Sequence, residues 1–341
     1  MSGPPLPADI PIVHAVVVHH RGPEILSRCL ETLLSSSGID LRVAVVANAC
    51  PEPLPPVAEG RPRVHGLRAE TPLGFAAANN RGAALLRERE GRPDYLYFLN
   101  DDTTSEPDAL RHLVDHMKRT PSCAVAGPRL MIERSDAIVN SLGLNLAVTG
   151  EAWDEGLGRP LRGCLPLAAS RPALAVTGTA LLVRADVFDR LDGWREIFHY
   201  YYEDVDLCLR ARVLGGEVEV VSDAVVHHAV SATARRDSDF KRYHILRNRL
   251  LLIALHWPAG LLLRTAPRVL GLELGRFVVR LGRGRRDLAG VQARAWAGFL
   301  RRLPAVARLR GRTGAGSGWT SFLKPPGAIP ESHLPDAGAS P

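Results

Sequence analysis

Residues 12–46 read IVHAVVVHHRGPEILSRCLETLLSSSGIDLRVAVV. The opening run, Ile12 to His19, is rich in valine and isoleucine, as in strands buried on both faces of a parallel sheet. Pro23 stands where a helix starts, and Ile25, Leu26, Leu30, Leu33 and Leu34 recur behind it at helical spacing. Leu41 to Val46 is a second strand of the buried type, ending at Ala47-Asn48-Ala49. A strand, a helix and a strand over so short a stretch make a βαβ unit, whose crossover is right-handed.

On the C-terminal side the pattern continues. Gly74 to Arg89 reads as a helix, and Tyr95 to Leu99 (YLYFL) as a strand running straight into Asn100-Asp101-Asp102-Thr103. Ser105 and Asp108 have the spacing of a capping box for a helix through Met117. Ala124 to Met131 is a strand, and Val139 to Arg171 reads as long loops. Ala175 to Val183 is a strand interrupted at Gly178, which implies a bulge or a close approach of backbone to something. Helices follow at Asp186 to Leu191 and Glu203 to Leu214, then strands at Glu217 to Val221 and Ala224 to Val226 that lead into His227-His228. The expectation is an α/β fold with an open, doubly wound sheet, which binds ligands at the carboxyl ends of its strands. His19-His20, Ala47-Asn48 and Asn100 to Asp102 all fall there.

Composition narrows the class. Of 341 residues 46% are apolar and 23% charged, which excludes a disordered, collagen-like or disulfide-scaffold chain. Cys29, Cys50, Cys123, Cys164 and Cys208 form no C-x-x-C pair, so reduced thiols in a cytosolic chain are expected and a zinc ribbon is not. His112 and His116 lie one helical turn apart, but no third zinc ligand is near them in sequence. No basic-then-apolar leader opens the chain, and residues 1–10 read as a flexible tail. The net charge of +7 is uneven: Lys241 to Arg312 holds 17 Lys/Arg against Glu273 and Asp287, leaving the rest at −8. Residues 11–240 therefore read as a catalytic body, 241–312 as a basic amphipathic helical extension and 313–341 as a disordered tail. Leu250 to Leu263 carries no formal charge, but its 14 residues include Pro258, too short and interrupted for a membrane span. Leu250 to Leu255, Leu261 to Leu263, Trp257, Trp296 and Phe299 beside so many arginines suit an anionic membrane surface. The alternative is that these helices fold back and pair charges with the acidic body. Nucleic acid is not expected, because the basic segment lacks interleaved aromatics and any recognised motif.

Three clusters carry chemistry. Adjacent carboxylates at Asp101 and Asp102 repel unless a cation compensates, and a hard divalent ion would also hold a diphosphate; a D-D pair can equally cap a helix. Glu203, Asp204 and Asp206 open a helix whose dipole favours acids there, and one of them could serve as a general base. His227-His228, on an extended chain, points one imidazole to each face.

In this order and spacing the pieces resemble the family 2 glycosyltransferases, inverting enzymes of the GT-A fold, and within them the bacterial rhamnosyltransferase-like branch. The resemblance runs from about Val13 to His228, and more weakly through Arg247-Asn248. It rests on Val45-Val46 with Asn48, on Leu73-Gly74-Phe75-Ala76-Ala77-Ala78-Asn79-Asn80-Arg81-Gly82, on Leu99 to Thr103, on Gly178 to Arg184, and on the acidic block followed by Leu207, Leu209 and Arg210. It implies a GT-A sheet, mixed and flanked by helices, and transfer of a sugar, rhamnose-like, from a nucleotide diphosphate to a glycan or lipid-linked acceptor in cell-wall polysaccharide synthesis. It implies Mg²⁺ or Mn²⁺ held by Asp102 and His228, with His227 as the substitute. It places Asn100 and Asp101 near the ribose and diphosphate, and His19, Asn48, Gly74 and Asn79 around the nucleotide-sugar pocket. Asp204 is implied as the base and Glu203 as its helper. A cytoplasmic enzyme, peripheral on the inner face of the membrane, follows from that acceptor.

Two departures fall on base recognition: Ala47 and Cys50 stand where the family usually has Asp and Ser, and the first strand ends in His19-His20-Arg21. The acids nonetheless divide into a metal group and a base group, as transfer requires; a hydrolase would flank one bond with two carboxylates. A nucleotidyltransferase would want a Gly/Arg/Lys-rich phosphate loop where only His19-His20-Arg21-Gly22 stands. A non-catalytic binding subunit is suggested by Ala47 and Cys50 and opposed by Asp102, Asp204 and His228.

Overall fold

The first βαβ unit is built as its sequence dictates. Strand β1 (Ile12–His19), helix α1 (Pro23–Leu34) and strand β2 (Asp40–Asn48) follow one another, and β1 runs parallel to β2 from Ile12 beside Asp40 to His19 beside Ala47. A computed structural model describes residues 10–58, 60–133, 135–164, 168–229, 239–310 and 318–330. Beyond β2 come β3 (Val64–Ala69), α2 (Phe75–Glu90), β4 (Tyr95–Asn100), β5 (Thr103–Ser105), α3 (Ala109–Arg119), β6 (Cys123–Ile132) and β7 (Ser135–Ser141). The short strands β8 (Leu144–Leu146), β9 (Ala152–Asp154) and β10 (Ser170–Pro172) precede β11 (Ala180–Arg184), α4 (Ala185–Arg190), α5 (Glu203–Val213) and β12 (Glu217–His228). Four helices complete the order: α6 (Asp239–His256), α7 (Ala259–Gly282), α8 (Arg286–Leu300) and α9 (Leu303–Arg310).

The central sheet has ten strands in the order β10-β12-β6-β11-β4-β1-β2-β3, with β5 added on β12 and β7 on β6. It is mixed: β4, β1, β2 and β3 are parallel, and β11 inserts antiparallel between β4 and β6. Alternate residues of each central strand feed two cores. Val16, Ala44, Val46 and Phe98 meet α2, α5 and α6, while Val13, Val17, Val45 and Tyr97 meet α1 and α3. Covering helices on both faces explain why these strands are apolar without alternation.

Several local expectations are corrected. Ser105 belongs to β5 and no side chain caps α3, so the capping box is absent. The stretch from 139 to 171 holds β8, β9 and β10, strands too short to show a period. Strand β11 starts only at Ala180, and β12 is one strand whose register on β6 shifts between Val221 and Val225. All five cysteines are free thiols, as expected.

The larger correction concerns the C-terminal third. Leu251, Leu252, Ile253, Leu255 and Trp257, expected at a headgroup boundary, are buried in the same core as the sheet. Helix α6 is therefore a structural part of the catalytic body. Residues 318–330, inside the stretch expected to be disordered, also pack on it. Trp319 is buried against Trp257, ring centroids 5.4 Å apart, and Lys324 exchanges backbone hydrogen bonds with Leu146 and Val148 (2.9 and 3.0 Å). The rest of that tail and residues 1–9 lie outside the described residues. Among the described residues no helix is long and apolar enough to cross a membrane.

Because Trp319 fills a closed apolar site, Trp319→Ala is expected to cost about 3–5 kcal/mol of unfolding free energy in a denaturant titration. An unchanged midpoint would mean that this turn does not seat on α6.

Candidate active site

The carboxyl ends of β1, β4 and β12 meet at the Asn100–Thr103 turn. The turn is fixed from below: Asn100 N–H donates to Thr179 O (2.9 Å), and Thr103 Oγ1 donates to Asn100 O (2.7 Å). Its two carboxylates then meet two histidines. His19 Nδ1 lies 2.6 Å from Asp101 Oδ2, and His228 Nε2 lies 3.2 Å from Asp102 Oδ1. The histidine pair on β12 splits as the extended backbone requires, with His227 turning instead toward Glu106 (3.2 Å).

His228 is held by both ring nitrogens. Its Nδ1 lies 3.1 Å from Asn140 Oδ1, which orients the ring with Nε2 toward Asp102. An imidazole nitrogen and a carboxylate oxygen held this close can share a divalent ion. These two donors fit Mn²⁺ or Mg²⁺.

The acids on α5 lie apart from this pair and differ in environment. Asp204 Oδ2 accepts the Gly178 N–H (3.0 Å) and Oδ1 accepts that of Val205 (2.7 Å). Burial raises its pKa despite those bonds. Glu203 is buried with Oε2 lacking a hydrogen-bond partner, and burial, then the Asp204 charge, push its carboxyl well above the ordinary range. Asp206 goes the other way. Although burial alone would raise it, Arg210 (2.7 Å), His256 (2.8 Å) and Arg195 (3.1 Å) hold it well below the usual range. Gly178, flagged by its place in a strand, is the close approach expected: an added Cβ would lie 3.2 Å from the Phe75 ring. The Gly178-Thr179 backbone thus ties Asp204 to Asn100.

Strain enters just before α5. His199, Tyr201 and Tyr202 have φ of 66, 67 and 73°, a left-handed region that non-glycine residues rarely adopt. The buried Asn248 Nδ2 donates to Phe198 O (2.8 Å), Tyr200 O and Tyr201 O (both 2.7 Å), and Arg247 Nη2 to Phe198 O (2.6 Å). Tyr200 in turn donates to Leu73 O (3.0 Å). Gly74 sits where a Cβ would be 2.2 Å from His199 Nδ1.

The residues expected around the nucleotide pocket divide accordingly. Asn100, Asp101, Asp102 and His228 converge, and Gly74 borders the strained loop. His19, Asn48 and Asn79 are wholly buried and act through others. His19 orients Asp101. Asn48 clamps Leu73, donating to its carbonyl (2.9 Å) and accepting its N–H (2.7 Å). Asn79 spends its amide on Phe75 O (3.0 Å) within α2. Three residues were missed. Asn140 and Asp154 lie in the stretch read as loops, and Asn248 was seen only as weak similarity. Burial, with the Asp204 charge adding, pushes the Asp154 carboxyl up to about 6, while His228 opposes it. His112 and His116 do not pair: His112 meets Asp223 O (2.8 Å), and His116 faces Glu219 (3.1 Å).

A sequence model described as "Glycosyltransferase like family 2" matches residues 11–251. The N-acetylglucosaminyl-diphospho-decaprenol L-rhamnosyltransferase of Mycobacterium tuberculosis is 29% identical over 244 residues, covering 66% of this chain and 78% of that protein. Among solved structures, the fold is similar to the mannosyltransferase PcManGT of Pyrobaculum calidifontis in complex with GDP-Man and Mn²⁺ (TM-score 0.51, 15% identity, 88% and 89% of the two chains). It is similar also to GalNAc-T7 with UDP, GalNAc and Mn²⁺ (TM-score 0.56, 11% identity), covering 74% of this chain but only 49% of that one. At these identities the structures speak for the fold alone.

Two predictions follow from the geometry. Asn248→Ala leaves Tyr200 O and Tyr201 O without their donor over a strained loop, Phe198 O keeping Arg247, and should cost about 2 kcal/mol or more, with kcat falling further than KM rises. A stable variant with unaltered kcat would refute the clamp. For Glu203, a folded-state pKa above the unfolded one means stability falls as pH rises from about 4 through the raised value. Glu203→Gln removes that titration, so its melting temperature should gain on the wild type as pH rises; a pH-independent difference would place an ionised carboxylate there.

Proposed function

The chain belongs to glycosyltransferase family 2, and on that premise we propose that it is a metal-dependent inverting enzyme transferring a rhamnose-like sugar from a nucleotide diphosphate to a lipid-linked glycan. The observation that carries the reading is the separation of the acids. Asp101 and Asp102, each against a histidine, stand at the strand ends, and Asp204 stands on a different element with its carboxylate tied to Gly178. The name of the mycobacterial relative supports the sugar and the acceptor.

In this mechanism an acceptor hydroxyl attacks the anomeric carbon from the face opposite the diphosphate. Asp204 takes the hydroxyl proton, and a raised pKa makes it a stronger base than an exposed aspartate. The new C–O bond forms as the bond to the diphosphate breaks, and the nucleoside diphosphate leaves with the electron pair, inverting the centre. Asp102 and His228 would hold Mg²⁺ or Mn²⁺, which when bound supplies Lewis-acid stabilisation to the leaving diphosphate. His19 keeps Asp101 directed toward the ribose and diphosphate. Glu203, whose carboxyl is raised well above the ordinary range first by burial and then by the Asp204 charge, positions rather than deprotonates. With a lipid-linked acceptor the enzyme works on the cytoplasmic face of the membrane, held to an anionic surface, in polysaccharide and cell-wall assembly.

Asp204→Asn should keep nucleotide-sugar binding and lose about 100- to 10,000-fold in turnover. The acid limb of the wild-type rate profile should lie above the ordinary aspartate pKa, since the base must be ionised. Asp102→Ala should abolish the Mn²⁺-dependent part of nucleoside diphosphate binding with the fold intact. Wild-type turnover in the first variant, or unchanged Mn²⁺-dependent affinity in the second, would overturn the assignment concerned.

A further inference from the structure

Helix α7 has its polarity reversed for a helix that faces water. Its buried positions include Thr265, Glu273 and Arg280. They face a closed polar network: Arg249 bridges Glu273 and Glu151, and Trp296 Nε1 and Gln292 Nε2 donate to Glu273 (2.7 and 3.0 Å). Arg280 donates to Gln292 Oε1 (2.6 Å). The outward face is apolar. Leu263, Leu270, Leu274 and Val278 are 77, 67, 60 and 58% exposed, and Leu281 is 47% exposed. Their spacing places them in one stripe along the helix.

Both halves of this arrangement are unfavourable against water. Charged groups are desolvated inside, and large aliphatic side chains are left solvated outside. Against an apolar medium the outer half becomes favourable. Charge selects the occupant. Glu273, the only acid on α7, is buried, whereas Arg264 and Arg268 on the helix and Arg283 and Arg286 just after it are exposed. In a self-complementary contact between two copies those arginines would be brought toward one another. A surface of anionic headgroups over acyl chains satisfies the leucines and the arginines together.

We propose that α7 lies flat in the headgroup–acyl boundary of an anionic bilayer, its Leu263-to-Leu281 stripe inserted and its flanking arginines on lipid phosphates. This deepens the reading above, on which membrane docking rests through the lipid-linked acceptor; of the segments expected there, the apolar run of α6 is core, and the contact is extended from Leu263 along the outer face of α7. The test uses the full chain in co-sedimentation with vesicles of phosphatidylglycerol mixed into phosphatidylcholine, and with phosphatidylcholine alone. The wild type should bind the anionic vesicles, release at high salt, and bind the neutral ones far less. The triple variant Leu270→Gln, Leu274→Gln, Val278→Gln alters only exposed side chains. It should bind at least about tenfold more weakly, with an unchanged melting temperature and unchanged nucleoside diphosphate binding with Mn²⁺. Undiminished vesicle binding by that variant, or equal binding to neutral vesicles, overturns the proposal and leaves the transferase reading intact. A wild-type dimer that the triple variant converts to monomer, without vesicle binding by either, overturns it in favour of a second copy. Vesicle binding without nucleotide binding would instead remove the transferase reading and leave the helix assignment standing.

Discussion

One side-chain amide holds the site in shape. Asn248, on a helix that follows the sheet, gathers the carbonyls of Phe198, Tyr200 and Tyr201, and so holds open a loop whose backbone is left-handed at three non-glycine residues. Each such residue costs about 1 kcal/mol or more, and it persists only where surrounding contacts over-determine it. The return on that strain is direction. The chain leaves the loop at the angle that starts α5 with Asp204 facing Gly178, and Tyr200 from the same loop reaches Leu73 beside the opening of α2. Helix α5 and the start of α2 thus share one anchor, and that anchor lies beyond the last strand of the sheet.

Position then sorts chemically similar residues into different states. Glu203, Asp204 and Asp206 occupy one helical turn, yet one is buried without a partner for its Oε2, one is bonded to two backbone N–H groups and one is ringed by two arginines and a histidine. Two carboxyls raised by burial and one held low by its cations follow from those surroundings and not from residue type. The same holds across the cleft. Asp101 and Asp102 are neighbours in sequence, but β1 supplies a histidine to one and β12 to the other. Backbone alternation makes this possible, since adjacent residues on an extended or turning chain point in different directions.

What the sequence made legible was periodicity and polarity. The central strands, the helices of both layers and the split of His227 from His228 could be read because period and side alternate by rule. What stayed illegible shares one cause: a polar residue near a site does not announce where its hydrogen bonds go. Asn48 and Asn79 have the composition of ligand contacts, yet both spend their amides on the backbone. Asn140 and Asp154 are ordinary letters in a stretch without period, and only the folding of short strands brings them near His228. Val64 to Ala69, an edge strand broken by glycine and charge, escaped for the same lack of pattern.

The basic third of the chain shows most plainly why composition underdetermines placement. Its cations had two possible destinations, the acidic body or the exposed surface, and they divide between them. Arg247 and Arg310 turn inward to backbone carbonyls of Phe198, Ala254 and Trp257, and Arg249 and Arg276 to the carboxylates of Glu151 and Glu273. These residues weld α6 to α9 onto the sheet, and their charges are neutralised or solvated there. Arg264, Arg268, Arg283 and Arg286 stay outside. The apolar residues divide in the complementary sense: the continuous run of α6 is core, and the spaced leucines of α7 are surface. A net charge of +15 over Lys241 to Arg312 is therefore not a property of any one face. It is the sum of an internal ion-pair network, which fixes how α7 is rotated, and an external rim, which that rotation leaves beside the exposed leucines.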